Sequence, residues 1–242
     1  MVSKKYHKPP TPQGLTGAAK KIIKVIKKGF YEFPENSRFN GSGAPGMYLE
    51  HLLGLDANNK DQPDLDGWEV KYHSGTAPLT LFHKTPEPKA IMEYMVNKHG
   101  WKNNKDQTAF RHTIWGESER GFVVSNDGER IIVQHNSIDG PVPNWTHDTL
   151  INAMISKLRR LILVEGETSH TPKKGVKYKH ARALWEISPS GFISAIERGT
   201  VAIDFDARTM QGAGTRLRDH GTKFRVRVED LPVLYQNTFR LI

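Results

Sequence analysis

The sequence contains no cysteine, which excludes disulfide frameworks, zinc–thiolate sites, iron–sulfur clusters and cysteine nucleophiles. It also has no apolar run of the roughly 18–20 residues that a membrane span needs. The lysines near the N-terminus are not followed by the apolar core of a signal peptide. We therefore expect a soluble, intracellular protein.

The chain does contain enough apolar material for a core, since 37% of its 242 residues are hydrophobic and 25% are charged. This composition excludes wholesale disorder and fits one large domain or two modest ones. Lys and Arg number 35 against 26 Asp and Glu, which gives a net charge of +9. Such an excess favours a polyanionic partner, either nucleic acid or an acidic membrane surface.

The positive charge is concentrated in two regions. Residues 1–28 contain eight lysines and no acid, and residues 208–227 contain six basic residues and one acid. Residues 50–70 have the opposite sign, with six acids and one lysine. Because carboxylates repel DNA phosphates, this acidic segment is either a solvated loop or a set of carboxylates neutralised by a bound cation.

Strand and helix patterns alternate along the chain, which predicts a mixed α/β sheet flanked by helices. Residues 16–31 form a basic amphipathic helix, whose lysines either face solvent or bind phosphates. The apolar segment 161–167 lacks alternation and is predicted to be a strand buried on both faces. A basic, Pro- and Gly-containing loop is expected at 168–182. The other predicted helices are 45–54, 89–98, 146–160, 189–198 and a short one from Leu231, and the other strands are 67–73, 79–84, 200–208, 222–228 and a hairpin over 122–135.

The segment PDLDGWEVK carries the most informative chemistry. Glu69 and Lys71 are two apart on a predicted strand, so both project from one face, while Trp68, Val70 and Tyr72 project from the other. Asp64 precedes the strand, and a turn through Asp66 and Gly67 can bring it alongside.

Two carboxylates and an ammonium at one end of a strand suit metal-assisted phosphodiester hydrolysis. Asp64 and Glu69 are hard oxygen ligands for Mg²⁺, which activates a water, and Lys71 can position that water and offset negative charge. Glu50, on the 45–54 helix, could add a further carboxylate. On the spacing alone, a surface salt bridge worth about 0–1 kcal/mol is the favoured interpretation. The acidic segment around the motif, inside a basic chain, makes the two interpretations equal.

Three blocks of the sequence resemble the MvaI/BcnI family of restriction endonucleases, which are themselves similar to the mismatch-repair endonuclease MutH. The blocks are GAPGMYLEHLLG (43–54), PDLDGWEVKYH (63–73) with LTLFHKTP (79–86), and RDHGTKFRV (218–226). They occur in the family's order, so the resemblance covers about 43–228. It implies a PD-(D/E)xK restriction-endonuclease-like fold with two lobes around a DNA cleft.

The resemblance also assigns roles to the acidic segment. It implies that Asp64 and Glu69 bind one or two Mg²⁺ ions, that Lys71 is the catalytic lysine and that Glu50 is an accessory acid. His73 matches a histidine that follows the catalytic lysine in one branch of the family. It either bonds the scissile phosphate or the attacking water, or is a packing or solvent-facing histidine.

The block RDHG has the side chains that base recognition needs. Arg218 can donate two hydrogen bonds to guanine, Asp219 can accept from cytosine, and His220 can donate to guanine. Lys223 and Arg225 share a strand face with Arg227, and such a face commonly clamps phosphates or is simply solvated. The DHGT-F-R pattern resembles the MvaI branch, which implies a CCWGG-like site, although position 218 is Arg where that branch has His.

The resemblance implies a Mg²⁺-dependent type II restriction endonuclease that cuts double-stranded DNA at a short G·C-rich pseudopalindromic site. It further implies 5′-phosphate and 3′-hydroxyl ends and sequential nicking by a monomer. The expected setting is a prokaryotic cytoplasm, with a cognate DNA methyltransferase as a functional partner and no membrane partner. The expected organisation is a flexible basic arm over 1–15, a catalytic lobe over 16–165 and a DNA-recognition lobe over 166–242. The alternatives are a MutH-like nicking endonuclease of mismatch repair and a non-catalytic DNA-binding module.

Overall fold

The structure is a computed structural model, which describes residues 11–35, 38–55, 65–137, 139–210 and 217–242. Its helices are α1 (Leu15–Lys28), α2 (Ala44–Leu52), α3 (Ile91–His99), α4 (His147–Leu158), α5 (Pro189–Glu197) and the 3-10 helix η1 (Leu231–Leu234). Its strands are β1 (Phe30–Glu32), β2 (Glu69–His73), β3 (Leu79–His83), β4 (Trp101–Lys102), β5 (Thr108–Ile114), β6 (Phe122–Asn126), β7 (Arg130–His135), β8 (Asn144–Thr146), β9 (Arg160–Ser169), β10 (Gly175–Ile187), β11 (Val201–Thr209), β12 (Leu217–Asp219), β13 (Lys223–Val226) and β14 (Tyr235–Arg240). None of the described helices is long and apolar enough to cross a membrane.

The chain divides into two compact units, each assembled from separate pieces of sequence. The first unit comprises Met1–Gly75, Arg159–Glu186 and Tyr235–Ile242, and the second comprises Thr76–Leu158 and Ile187–Leu234. The expected break between 165 and 166 falls inside β9. That position cannot separate two units, because β9 is hydrogen-bonded to β2 on one side and to β10 on the other. Residues 1–10 of the expected basic arm lie outside the described residues.

The first unit is built on a sheet in which the strand order is β1-β10-β9-β2, with β14 also paired to β10. Strand β2 runs parallel to β9, and β9 runs antiparallel to β10. The central strand has four consecutive residues, 161–164, that are fully buried. This confirms the predicted strand that is covered on both faces.

One face of this sheet carries the core of the first unit. Helix α1 packs Ala18, Ile22 and Val25 against it, at the i, i+4, i+7 spacing that places side chains on one side of a helix. The strands contribute apolar side chains at alternate positions to the same cluster, among them Trp68, Val70, Ile162, Val164, Ala181 and Ala183. The lysines of α1 lie on its exposed side.

The second unit contains two sheets. The larger has the strand order β3-β13-β11-β5-β4, with β12 paired to β11, and the smaller has the order β6-β7-β8. The predicted hairpin over 122–135 is confirmed, since β6 and β7 pair on either side of the turn at Asp127–Glu129. Large aromatic side chains fill the core, including Phe110, Trp145, Phe192, Phe205 and Phe224.

The basic loop expected at 168–182 is wrong over most of its length, because residues 175–187 form the long strand β10. Its inward residues, such as Val176, Tyr178 and Ala181, belong to the core. Its outward residues are basic, and an extra residue between Tyr178 and His180 shifts the register. The polar outward residues and the shift together hide the strand's alternation. The short helix expected from Leu231 is present as one 3-10 turn, and it is followed by a strand that was not predicted, β14.

Candidate active site

Glu69 and Lys71 form an ion pair on β2. Lys71 Nζ lies 3.3 Å from Glu69 Oε1, and the two side chains are only 19% and 9% exposed. Their neighbours Trp68 and Val70 are buried in the core on the opposite face. The period-two alternation of the strand thus places the acid and the amine side by side and holds them there by burying the residues between them.

The strand is preceded by a tight turn. Leu65 and Trp68 exchange two backbone hydrogen bonds of 2.8 Å, and Asp66 and Gly67 have φ values of 51° and 84°. Positive φ at both central positions is typical of the turn that Asp-Gly favours. The predicted turn is therefore present. Asp64 lies outside the described residues, one peptide bond before this turn.

The N-terminal end of α1 packs against the same turn. A Cβ atom on Gly14 would overlap the carbonyl oxygen of Asp66, and one on Gly17 would lie 2.9 Å from Asp66 Oδ2. Lys21 Nζ lies 3.5 Å from the same carboxylate oxygen. The glycines of GLTG therefore permit a backbone contact that fixes the turn before Glu69, a role that the sequence pattern did not reveal.

Glu50 and His73 belong to the same unit as Glu69 and Lys71. Glu50 is half-buried on α2, which packs on β2 and is anchored where the Tyr178 hydroxyl donates a 2.7 Å hydrogen bond to the Pro45 carbonyl. His73 is half-buried at the end of β2, on the strand face of Glu69 and Lys71. The structure thus places four of the five predicted catalytic residues in one unit, and the fifth is Asp64.

Tyr235, at the start of β14, was not predicted as a site residue. Burial and then the nearby charge of Glu69 raise the pKa of its hydroxyl. The hydroxyl of Tyr235 is therefore protonated at neutral pH. No local pattern could have found it, because it is far from Glu69 in sequence and only the sheet brings the two together.

The predicted recognition segment lies in the second unit. Arg218, Asp219 and His220 are exposed, at the end of β12 and just beyond it. The Gly221 N–H donates to Asp219 Oδ1 at 2.8 Å, and the His220 N–H donates to the carbonyl of Asp206 at 2.9 Å. The backbone of this segment is therefore fixed while its side chains remain accessible.

Lys223 and Arg225 form ion pairs with two acids on β11, which neutralise their charges. Lys223 Nζ lies 3.1 Å from Asp206 Oδ2, and Arg225 Nε lies 3.2 Å from Asp204 Oδ2. Arg111 on β5 also pairs with Asp206, at 2.8 Å. Burial opposes ionisation of Asp206, but the bonds from Lys223 and the charge of Arg111 outweigh it and lower the pKa of the carboxyl group.

Among the described residues there is no group of three or more acidic or histidine side chains that could hold a metal ion. This result does not bear on the predicted metal ligands Asp64 and Glu69, because Asp64 lies outside the described residues. The donor chemistry fits a hard cation, because Glu69 supplies a carboxylate beside a lysine and a second carboxylate is one peptide bond beyond the turn.

Comparisons with known proteins give the following matches. The model of the MvaI/BcnI restriction endonuclease family matches residues 19–235. The solved structure titled "Restriction endonuclease MvaI-cognate DNA substrate complex" is similar with a TM-score of 0.81 and 24% identity, over 96% of this chain and 100% of that chain. "Restriction endonuclease MvaI in the absence of DNA" is similar with a TM-score of 0.56 and 22% identity, over 97% and 100%. No curated protein sequence matches.

The fold is that of a restriction endonuclease, and the protein is a type II site-specific nuclease. Because the family model spans most of the sequence, the chain belongs to the MvaI/BcnI restriction endonuclease family. The resemblance, the fold class and the enzyme class expected from the sequence are thereby confirmed. Enzymes of this family generally use a divalent metal ion.

Proposed function

We propose that this protein is a Mg²⁺-dependent type II restriction endonuclease that cuts both strands of a short G·C-rich pseudopalindromic site. The observation that carries the proposal is the Glu69–Lys71 pair, 3.3 Å apart and almost buried on one strand. A carboxylate and an ammonium group at this position can bind a hard cation and a phosphate group side by side. The family match supports the substrate class.

Glu69 and Asp64 would hold the metal ion. Their carboxylates are the ligand type that Mg²⁺ prefers, and a bound Mg²⁺ supplies Lewis acidity and charge neutralisation at the phosphate. Glu50, on the helix that packs against β2, is the further carboxylate of this site. The Asp66–Gly67 turn and its contact with α1 fix the backbone that enters β2 just before Glu69.

Lys71 acts on the water and the phosphate. Its ammonium group orients the attacking water and stabilises the negative charge that develops on the non-bridging oxygens. The water oxygen bonds to phosphorus and gives up one proton to solvent, while the bond from phosphorus to the 3′ oxygen breaks. The 3′ oxygen takes up one proton from solvent, which leaves a 5′-phosphate and a 3′-hydroxyl. His73, on the same strand face, donates a hydrogen bond to the scissile phosphate or to the attacking water.

The segment 218–220 supplies sequence specificity. Arg218 and His220 are donors for guanine and Asp219 is an acceptor for the cytosine amino group, and all three are exposed on a fixed backbone. Lys223 and Arg225 lie beside them and contact phosphates while paired with β11 acids. The DHGT-F-R pattern of this segment, which resembles the MvaI branch, favours a CCWGG-like site.

We expect the enzyme to act as a monomer in a prokaryotic cytoplasm, beside a methyltransferase that protects the same site. A monomer with a single site must nick one strand, reorient and nick the other. Nicked circles should therefore appear transiently while plasmid is converted to linear DNA.

The replacement Lys71→Ala tests the proposal. It should lower the rate of plasmid linearisation in Mg²⁺ by about 10²–10³-fold or more, since it removes a group that stabilises the transition state. Binding to the same DNA in EDTA should persist. Lys105→Ala removes an exposed lysine of the second unit and is the matched control, which should cut at the wild-type rate.

Other outcomes of this experiment point to the other functions. If wild-type protein produces only nicked circles and never linear DNA, the activity is that of a nicking endonuclease. If plasmid stays intact at every Mg²⁺ concentration while binding is retained, the protein is a DNA-binding module and the proposal is wrong.

A further inference from the structure

The strand face that carries Glu69 and Lys71 continues across the sheet of the first unit. Lys71 pairs with Leu163 on β9, which pairs with Arg182 on β10. His73 likewise pairs with Glu165, which pairs with His180. Side chains at paired positions share a face of a sheet. Arg182 and His180 therefore project from the same face as the catalytic pair.

Basic groups follow this face along β10 and onto β14. Arg182 Nη2 lies 3.1 Å from Glu165 Oε2, with both side chains about one-third exposed. Arg240 Nη2 lies 3.5 Å from His180 Nδ1. Lys177 is exposed on the same face, since Val176 and Tyr178 on either side of it are buried in the core. We call Lys177, His180, Arg182 and Arg240 the basic track.

The basic track has more positive than negative charge. Glu165 pairs with Arg182, and Glu167 is paired with Lys179, which lies at the register shift of β10. No acidic partner of Lys177 or Arg240 within salt-bridge distance is found among the described residues. Buried apolar residues on the other face of β10 fix the strand, so the cations form a row rather than a mobile cluster.

The dimensions of the row suit a nucleic-acid backbone. At about 3.3 Å per strand residue, the distance along β10 from Arg182 to Lys177 is roughly 16 Å. One DNA strand advances about 3.4 Å along the helix axis per phosphate, so a row of this length can follow several phosphates.

The lysines of α1 lie on the other side of the same sheet. Helix α1 covers the core face, and Lys20, Lys24 and Lys27 point away from it into solvent. Two basic surfaces thus flank one sheet, and only the basic track shares a face with the proposed catalytic residues.

We propose that the basic track binds the phosphates of the DNA strand next to the scissile bond, outside the recognition sequence and independently of sequence. This inference rests on the proposed function, because it takes duplex DNA as the substrate of Glu69 and Lys71. Arg182 contacts phosphate directly and Glu165 orients it, since a carboxylate on one side of the guanidinium leaves its other N–H groups free to donate.

Salt-dependent binding tests the basic track without any cleavage. Binding to a duplex with a central CCWGG sequence is measured in EDTA at several salt concentrations, where log K falls by about 0.9 per phosphate contact for each unit of log salt. Lys177→Gln with Arg240→Gln should reduce this slope by nearly 2. Lys24→Gln with Lys27→Gln removes the same charge from α1 and should leave the slope within about half a unit of the wild-type value.

A charge-neutral variant separates contact from net charge. Glu165→Gln with Arg182→Gln leaves the net charge unchanged and avoids an unpaired Glu165, yet it should still reduce the slope by about 0.9. Thermal unfolding of each variant establishes that it is folded. The same shifts should occur with a duplex that lacks CCWGG.

Two results would contradict the proposal that the basic track binds phosphates. One is a wild-type slope in the track variants, and the other is an equal reduction in the track and α1 variants. Failure of the proposed function looks different, because wild-type protein would then bind DNA without cutting it in Mg²⁺. In that case the comparison of slopes still decides whether the basic track contacts phosphates.

Discussion

The Glu69–Lys71 pair shows how a single strand can bring acid and base chemistry together. Residues two apart on β2 face the same way, and the buried Trp68 and Val70 prevent the strand from turning over. A pair that is almost buried keeps more of its Coulomb attraction than an exposed one, because less water screens it. The structure therefore contains an ion pair that is almost buried, and not the exposed surface salt bridge considered from the sequence.

At the residue scale, the burial of two histidines in the second unit makes the stability of the fold depend on pH. Loss of solvation and the charge of Arg120 lower the pKa of His112 despite the opposing charge of Glu119. Burial, with His135 and Lys98, lowers the pKa of His99. The unfolded chain, in which histidine has a pKa of about 6.5, binds more protons in acid. The stability that these residues confer is therefore full above about pH 6.5 and decreases as the pH falls.

Replacement of His112 by Phe should reduce this acid sensitivity. The ring lies among Trp101, Phe110 and Phe122, so an aromatic side chain fits the site without a charge to desolvate. The free energy of unfolding, measured in urea at about pH 7.5 and 5.5, should fall less in His112→Phe than in the wild type. His170→Gln alters an exposed histidine and should retain the wild-type difference. An unchanged difference in His112→Phe would contradict the assignment.

At the scale of the element, the contact between α1 and the turn before β2 links helix packing to the proposed active site. The contact needs glycine at Gly14, which has a φ of +81° and no room for a side chain. Asp66 in turn carries the carboxylate that Lys21 approaches. A change in the helix is therefore transmitted to the segment between Asp64 and Glu69.

The replacement Gly14→Ala should destabilise the protein by more than the cost of a left-handed residue, which is about 1–2 kcal/mol. The added methyl group would meet the Asp66 backbone, so the cutting rate should also fall. Gly41→Ala is the control, because Gly41 has a φ of +73° but open space around its Cβ position. Urea unfolding and plasmid cutting of both variants are the measurements, and equal losses in the two would show that the contact is unimportant.

Element boundaries explain the main errors of sequence-based prediction. The tight turn at Asp66–Gly67 and the strand after it were predictable, because Asp-Gly and period-two alternation are local signals. Strand β10 was missed because its register shift breaks the alternation of apolar and polar residues and because its outward side chains are basic. Helix α1 ends at Lys28 rather than 31, since Gly29 has a φ of 93° and Phe30 already begins β1.

At the scale of the whole molecule, the chain crosses between the two units four times, so neither unit is a continuous segment. Both central strands, β9 and β11, depend on partners from distant parts of the sequence. In the first unit β2 comes from before the second unit and β14 from after it.

This organisation predicts that residues 166–242 do not fold alone. The fragment would contain β10 without the first half of β9, and β11 without its partner β5. Its amide spectrum should show poor dispersion and it should be digested rapidly by protease, whereas the full chain resists. A folded, protease-resistant fragment would contradict the division into two discontinuous units.

The shared strand face of Glu69 and Lys71, the tight turn before β2 and the family could be predicted from the sequence, because each depends on residues that are neighbours in the chain. Three contacts became visible in the folded chain alone: Asp204 and Asp206 neutralise Arg225 and Lys223, Tyr235 lies near Glu69, and Arg182 shares a face with Lys71. The physical reason is that strand pairing and burial join segments from distant parts of the chain, and no local pattern records which strands will be neighbours.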